Sequence, residues 1–170
     1  MNGVPTKIHM YNLYTDGNKL LGVGEEYALP SFDVMTEKVS GPGILGEIDM
    51  PTPGMFGSQE DEISFLCFDE NAMKVIQIGS SKELTLRAAE QTEGDAGTSY
   101  KGLRVVSRGL VKSIDLGKVK QGNPMDVKIK RELTYILVES DGKTLLELDK
   151  FNGVYKVNGT DVLSKARSLA

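Results

Sequence analysis

Polar and apolar residues alternate with a period of two over much of this chain. Met125, Val127, Ile129, Arg131, Leu133, Tyr135 and Leu137 point one way, while Asp126, Lys128, Lys130, Glu132 and Thr134 point the other. The pattern predicts a half-buried strand of about 15 residues, spanning ~50 Å at ~3.3 Å per residue. Such a strand either curls around a barrel or projects beyond the body to reach a neighbour. Asp141-Gly142 accepts positive φ at both centres of a type I′ turn and joins it to a strand over residues 144–150. Asp16-Gly17 plays the same part between residues 10–14 and 19–23. Further strands fall at 100–112 and at 82–89, where Leu84, Leu86 and Ala88 alternate with Thr85 and Arg87. Residues 63–68 are nearly continuously apolar and predict a strand covered on both faces, with Cys67 inside it. The flanking Glu60, Asp61, Glu62, Asp69 and Glu70 read as gatekeepers against aggregation.

Helical spacing appears twice. Residues 70–78 carry Met73, Ile76 and Gln77, with Asp69 as N-cap and Gly79 as stop. After the Asn158-Gly159 turn, Thr160 serves as cap, Asp161 sits near the positive helix end, and Val162, Leu163, Ala166 and Leu169 form a stripe. The expected architecture is mainly β, an antiparallel barrel or sandwich with one packed helix and a short C-terminal one. Loops are expected at 40–46, 51–59 and 92–99.

Length and composition narrow the function. At roughly 150 residues per domain, 170 residues predict one domain over 1–170. The net charge of −4, from 24 Asp+Glu against 20 Lys+Arg, argues against a nucleic-acid reader, which needs a concentrated basic face. One Cys and one His exclude an internal disulfide and a Cys/His zinc site. Met1-Asn2-Gly3-Val4-Pro5 lacks the pattern of a secretory leader, so cytoplasmic synthesis is expected.

Little chemistry is legible. Residues 41–46 match GxGxxG, but Pro51 and Pro53 follow too soon for the helix that a dinucleotide site needs. His9 has no nucleophile motif beside it, and the carboxylates at 60–62 and 69–70 lack the spacing of a calcium loop. No catalytic residue, cofactor or metal is expected.

The order of the motifs is more informative than any one of them. Asn12-Leu13-Tyr14-Thr15-Asp16-Gly17 is followed by Leu29-Pro30. Arg108-Gly109-Leu110-Val111-Lys112 leads into Ile114-Asp115-Leu116-Gly117 and Lys120-Gln121-Gly122. Thr134-Tyr135, Asp141-Gly142-Lys143, Asn152-Gly153-Val154 and Val157-Asn158-Gly159-Thr160-Asp161 complete the series. In order and spacing this resembles the major tail tube protein of contractile phage tails and R-type bacteriocins, over essentially the whole chain. The glycine-rich stretch departs from the family's usual Met- and Asn-bearing form.

The resemblance implies hexameric rings stacked into a hollow tube, wrapped by a contractile sheath and driven through the target envelope. Implied partners are the sheath, a baseplate tube initiator and a tape-measure protein. DNA would cross the lumen without specific binding, in a virion tail or an extracellular bacteriocin particle. Gly41, Pro42, Gly43 and Gly46 are the candidate assembly loop, with residues 51–59 as a further ring-to-ring contact. Glu37, Glu47 and Asp49 are candidate lumenal acids, which would repel phosphates over a Debye length of ~8 Å; an ordinary solvated strand face is the alternative. Arg108, Lys112 and Asp115 are candidates for inter-subunit or intra-barrel ion pairs. The 158–169 segment faces the sheath or plugs the barrel end. Two other functions stay open, a secretion-tube ring protein and a monomeric β-sandwich binding module, though the absence of Trp counts against the latter.

Overall fold

The structure is a computed structural model and describes residues 3–77 and 79–170. Its elements are β1 (Val4–Thr15), β2 (Asn18–Lys19), β3 (Val23–Ala28), β4 (Val34–Ser40), β5 (Glu47–Phe56), β6 (Glu60–Phe65), α1 (Glu70–Val75), β7 (Lys82–Gly94), β8 (Gly97–Asp115), β9 (Val127–Ser140), β10 (Lys143–Asp149), β11 (Val154–Val157), β12 (Thr160–Asp161) and α2 (Ser164–Leu169). The mainly β, antiparallel expectation holds. The dipeptide turns hold as well: Asp16, Gly17, Asp141, Gly142, Asn158 and Gly159 all have positive φ.

The main sheet runs β2-β1-β7-β8-β9 and forks at β9. The first half of β9 pairs with β6, Asp61 opposite Arg131 and Phe65 opposite Val127. Its second half pairs with β10, and β11 and β12 follow. A bulge marks the fork, because Arg108 lies opposite Tyr135 whereas Gly109 lies opposite Leu133. Thr134 is the extra residue, and its carbonyl accepts from the Lys150 amide at 3.0 Å. One extra residue reverses the faces of a strand. Val127, Ile129, Arg131 and Leu133 are buried, and the next buried residue is Ile136. The unbroken odd-numbered face expected from the sequence therefore ends at Leu133.

Among the described residues no closed barrel forms. β3 pairs with β6 on one edge only, and β1 pairs with β7 and, at Tyr14 and Thr15, with β2. The chain holds together near Leu13 and Gly22, where the Leu20 amide donates to the Leu13 carbonyl and the Leu66 amide to the Gly22 carbonyl, each at 2.8 Å. The Tyr11 hydroxyl spans the gap to the Gly24 carbonyl at 2.6 Å. Beyond that bridge β1 and β3 diverge, leaving an open seam.

The core contains Leu13, Ile63, Phe65, Leu84, Val127 and Ile129, and α1 adds Ala72 and Val75. Asp69 caps α1 as expected, its carboxylate accepting from the Asn71 and Ala72 amides at 3.0 and 3.2 Å. The helix is shorter than the expected 70–78, because Ile76 is already extended; Ile78 lies outside the described residues. Ala72 and Val75 face the core while Met73 is exposed, so the inward stripe differs from the expected one. The 63–68 strand ends at Phe65, with only alternate residues buried, and Cys67 is exposed. The C-terminal helix starts later than expected, since Thr160 and Asp161 pair as β12. None of its residues is buried, and there is no barrel end for it to plug.

Two expected loops are strands. Residues 51–56 extend β5, and residues 92–94 and 97–99 are the tip of the β7–β8 hairpin, Thr92 opposite Ser99 and Gly94 opposite Gly97. Small polar residues there look like a loop in composition, but the long-range ladder to β1 and β8 decides their conformation.

Asp61, read as a gatekeeper, sits in the interior beside Arg131, both with fully buried side chains. The Arg131 Nε donates to Asp61 Oδ1 at 3.0 Å, and Nη2 also bonds the carboxylate. Nη1 donates to the Lys82 carbonyl at 3.0 Å, and Nη2 to Ser107 Oγ at 2.8 Å. The Tyr27 hydroxyl donates to Asp61 Oδ2 at 2.5 Å. The cluster thus joins β3, β6, β7, β8 and β9. Burial opposes the guanidinium's charge, but Asp61 and the surrounding bonds outweigh it and raise the Arg131 pKa. Burial, reinforced by the Asp61 charge, raises the Tyr27 pKa well above its ordinary 10.0. A raised folded pKa holds its proton after the unfolded chain has lost it, so this contribution is complete below pH ~10 and declines above. Urea midpoints measured at pH 8 and pH 11 are expected to fall, and to fall less in Tyr27→Phe.

 The turn after β8 depends on Gly117, whose φ of 74° lies in the left-handed region. A Cβ on Gly117 would be driven into the Met125 carbonyl. Gly117→Ala is expected to cost more than the ~1 kcal/mol typical of a point mutation, read from the urea midpoint.

Candidate assembly surface

The β4–β5 hairpin stands apart as its own two-stranded sheet. Phe56 roots it, making edge-to-face contacts with Phe32 and Tyr155 at 5.4 and 5.1 Å between ring centres. The Gly57 amide closes the root on the Asp33 carbonyl at 3.0 Å. Above the root, all of β4 and residues 47–53 of β5 are exposed.

Residues opposite each other in an antiparallel pair share a face. Val39 lies opposite Ile48, and Glu37 opposite Met50, which makes one face largely apolar. Lys38 lies opposite Asp49, and Ser40 opposite Glu47, which makes the other polar, with Lys38 and Glu47 paired at 2.8 Å. Glu37 is therefore on the opposite face from Glu47 and Asp49, and the three expected lumenal acids do not line one surface. Gly41, Pro42, Gly43 and Gly46 form the turn at the tip, where the Ile44 amide donates to the Gly41 carbonyl at 3.0 Å. The GxGxxG match thus joins two strands and opens no helix. Leu45 is fully exposed there.

Arg108, Lys112 and Asp115 lie along β8 and are not brought together. The Arg108 guanidinium stacks 4.0 Å from the Tyr135 ring centre and approaches Glu83 at 3.8 Å. The Tyr135 hydroxyl donates to Glu147 Oε1 at 3.0 Å, and burial with that bond pushes its pKa up to about 12. Lys112 pairs with Glu60 and, at 3.5 Å, with Glu132. Asp115 accepts from the Gly117 amide at 2.9 Å and so holds the turn after β8. Arg108 and Lys112 thus have partners within their own chain.

A second surface lies in the open seam. A cleft of about 650 Å3 separates β1 from β3 and the residues after it. Its floor is Leu86, Ala88 and Leu103, and its walls include Ile8, Met10 and Leu29. Sequence reading missed it because it arises where two strands far apart in the ladder fail to pair. The signal was faint: Ile8 and Met10 are apolar on an otherwise polar stretch of β1.

The hairpin is rooted on the main body by Phe56, and its apolar face is uncovered. The sequence model of the phage tail tube protein FII family matches residues 5–169. The chain belongs to that family. It is 29% identical over 169 residues to the tail tube protein of Escherichia phage P2, covering 96% of each chain. It is 27% identical over 168 residues to the major tail tube protein of Serratia phage KSP20, covering 94% of this chain and 91% of that one. This tail tube protein is a structural subunit of a phage tail, a virion component, as the ordered motifs implied. The family is a structural one.

Proposed function

We propose that six copies of this chain, each a single tail-tube domain, close into a ring, and that the rings stack into the inner tube of a contractile tail. The uncovered apolar row of the β4–β5 hairpin carries this reading. Val39, Ile48 and Met50 gain from leaving water only when another subunit covers them, at about 25 cal/mol per Å2 of apolar surface. The outer edge of β1, paired with β2 only at Tyr14 and Thr15, and residues 97–102 of β8, beyond its pairing with β9, support it too, because strand edges invite pairing with further chains.

In this assembly the 41–46 turn reaches the next ring, and β5 residues 51–56 continue the contact. Glu47 and Asp49 face the lumen and repel DNA in passage, while Glu37 belongs to the covered face. A sheath surrounds the tube, with a baseplate initiator starting it and a tape-measure protein setting its length. The subunit is made in the host cytoplasm; a headless bacteriocin particle would use the same tube.

Electron microscopy of the concentrated protein, with light scattering on the same sample, tests the proposal. Six-fold rings or stacked hollow tubes are expected. Rings of another symmetry would overturn the hexamer.

A further inference from the structure

The cleft between β1 and β3 and the turn after β8 are complementary in charge and in apolar character. Ile8, Met10 and Leu29 remain exposed around the cleft, Met10 at 58%. Glu25 and Glu26 line the same cleft. Among the described residues neither has an ion-pair partner. Both charges act on Tyr11, whose pKa is raised by burial first and then by Glu26 and Glu25. The cleft therefore offers an apolar floor beside two free carboxylates.

The turn after β8 has the matching features. Val119 is 88% exposed and sits between Lys118 and Lys120, neither with an ion-pair partner among the described residues. The segment is held before any partner arrives. The Lys118 amide donates to the Met125 carbonyl at 2.9 Å, and the Asn123 amide to the Lys120 carbonyl at 3.1 Å. A pre-organised loop avoids much of the ordering cost of binding.

The two features cannot meet within one chain. Leu103, in the cleft floor, and Asp115, beside the turn, are twelve positions apart on β8, about 40 Å in an extended strand. We propose that residues 118–120 of one copy dock into the β1–β3 cleft of a neighbouring copy, Val119 on the apolar floor and its two lysines against Glu25 and Glu26. The proposal rests on the tube-subunit reading. Such a contact joins different surfaces of identical chains, the kind that closes into rings or propagates as a filament. The hairpin tip is a weaker occupant, because residues 41–46 carry no charge to answer the two glutamates.

Charge reversal tests it. Four proteins are compared by sedimentation velocity and electron microscopy: the wild type, Glu25→Lys with Glu26→Lys, Lys118→Glu with Lys120→Glu, and all four changes together. Each two-site reversal is expected to raise the concentration needed for assembly at least about tenfold, and the combined protein to recover. Val119→Asp, at an exposed position, is expected to weaken assembly while leaving the circular dichroism spectrum unchanged. Reversals that assemble like the wild type overturn the docking and leave the tube reading intact. Loss on reversing the glutamates without loss on reversing the lysines overturns it in favour of another occupant. A wild type that stays monomeric at every concentration overturns it as a self-sufficient contact; the tube reading is then judged separately, by whether labelled protein enters the tails of particles.

Discussion

Replacing Arg131 by methionine is expected to lower the stability of the subunit by about 3–5 kcal/mol. The variant leaves the Asp61 carboxylate fully buried with no cation beside it, and it strips donors from the Lys82 carbonyl and Ser107. Removing one member of a buried pair costs far more than the pair contributes, because the survivor keeps its desolvation penalty. Changing both members, Arg131→Met with Asp61→Leu, is expected to recover much of the loss. Urea unfolding of dilute, unassembled protein measures both. A single variant that costs less than about 1 kcal/mol would mean that water or a shifted side chain satisfies Asp61.

The second large effect concerns assembly rather than folding. Ile48→Asp with Met50→Asp is expected to abolish tubes at concentrations where the wild type forms them. Both residues are exposed on the hairpin, so the isolated subunit should stay within about 0.5 kcal/mol of the wild type. Shortening the 41–46 turn to Asn-Gly is expected to spare the hairpin while removing its reach, leaving rings that do not stack into long tubes. Normal tubes from the Asp variant would remove the apolar row from the assembly account.

The contrast between these two sites explains what was legible in the sequence. Asp16-Gly17, Asp141-Gly142 and Asn158-Gly159 announced their turns because positive φ is a local demand that only a few residue types meet. The Asp69 cap was legible for the same reason. Arg131 stood in an apolar row, yet its partner lies 70 positions away, and no local pattern connects it to Asp61. The bulge at Thr134 was equally hidden, since an extra residue is visible only against the strand that it fails to match. Residues 92–99 carry the composition of a loop and become a hairpin because β1 lines up beside them. Of the candidate site residues, Gly41, Gly43 and Gly46 form the turn between β4 and β5 with positive φ. Glu37 parted from Glu47 and Asp49 because β4 and β5 pair with opposite residues on a shared face.

The fork at β9 has a mechanical consequence. Both edges of this strand are bonded along most of its length, one to β8 on either side of the bulge, the other first to β6 and then to β10. A thrust along β9 cannot peel it away one bond at a time; it must slide the strand against three neighbours at once. A load on this strand is thereby divided between two branches of sheet, and the bulged Thr134 is the point where it divides.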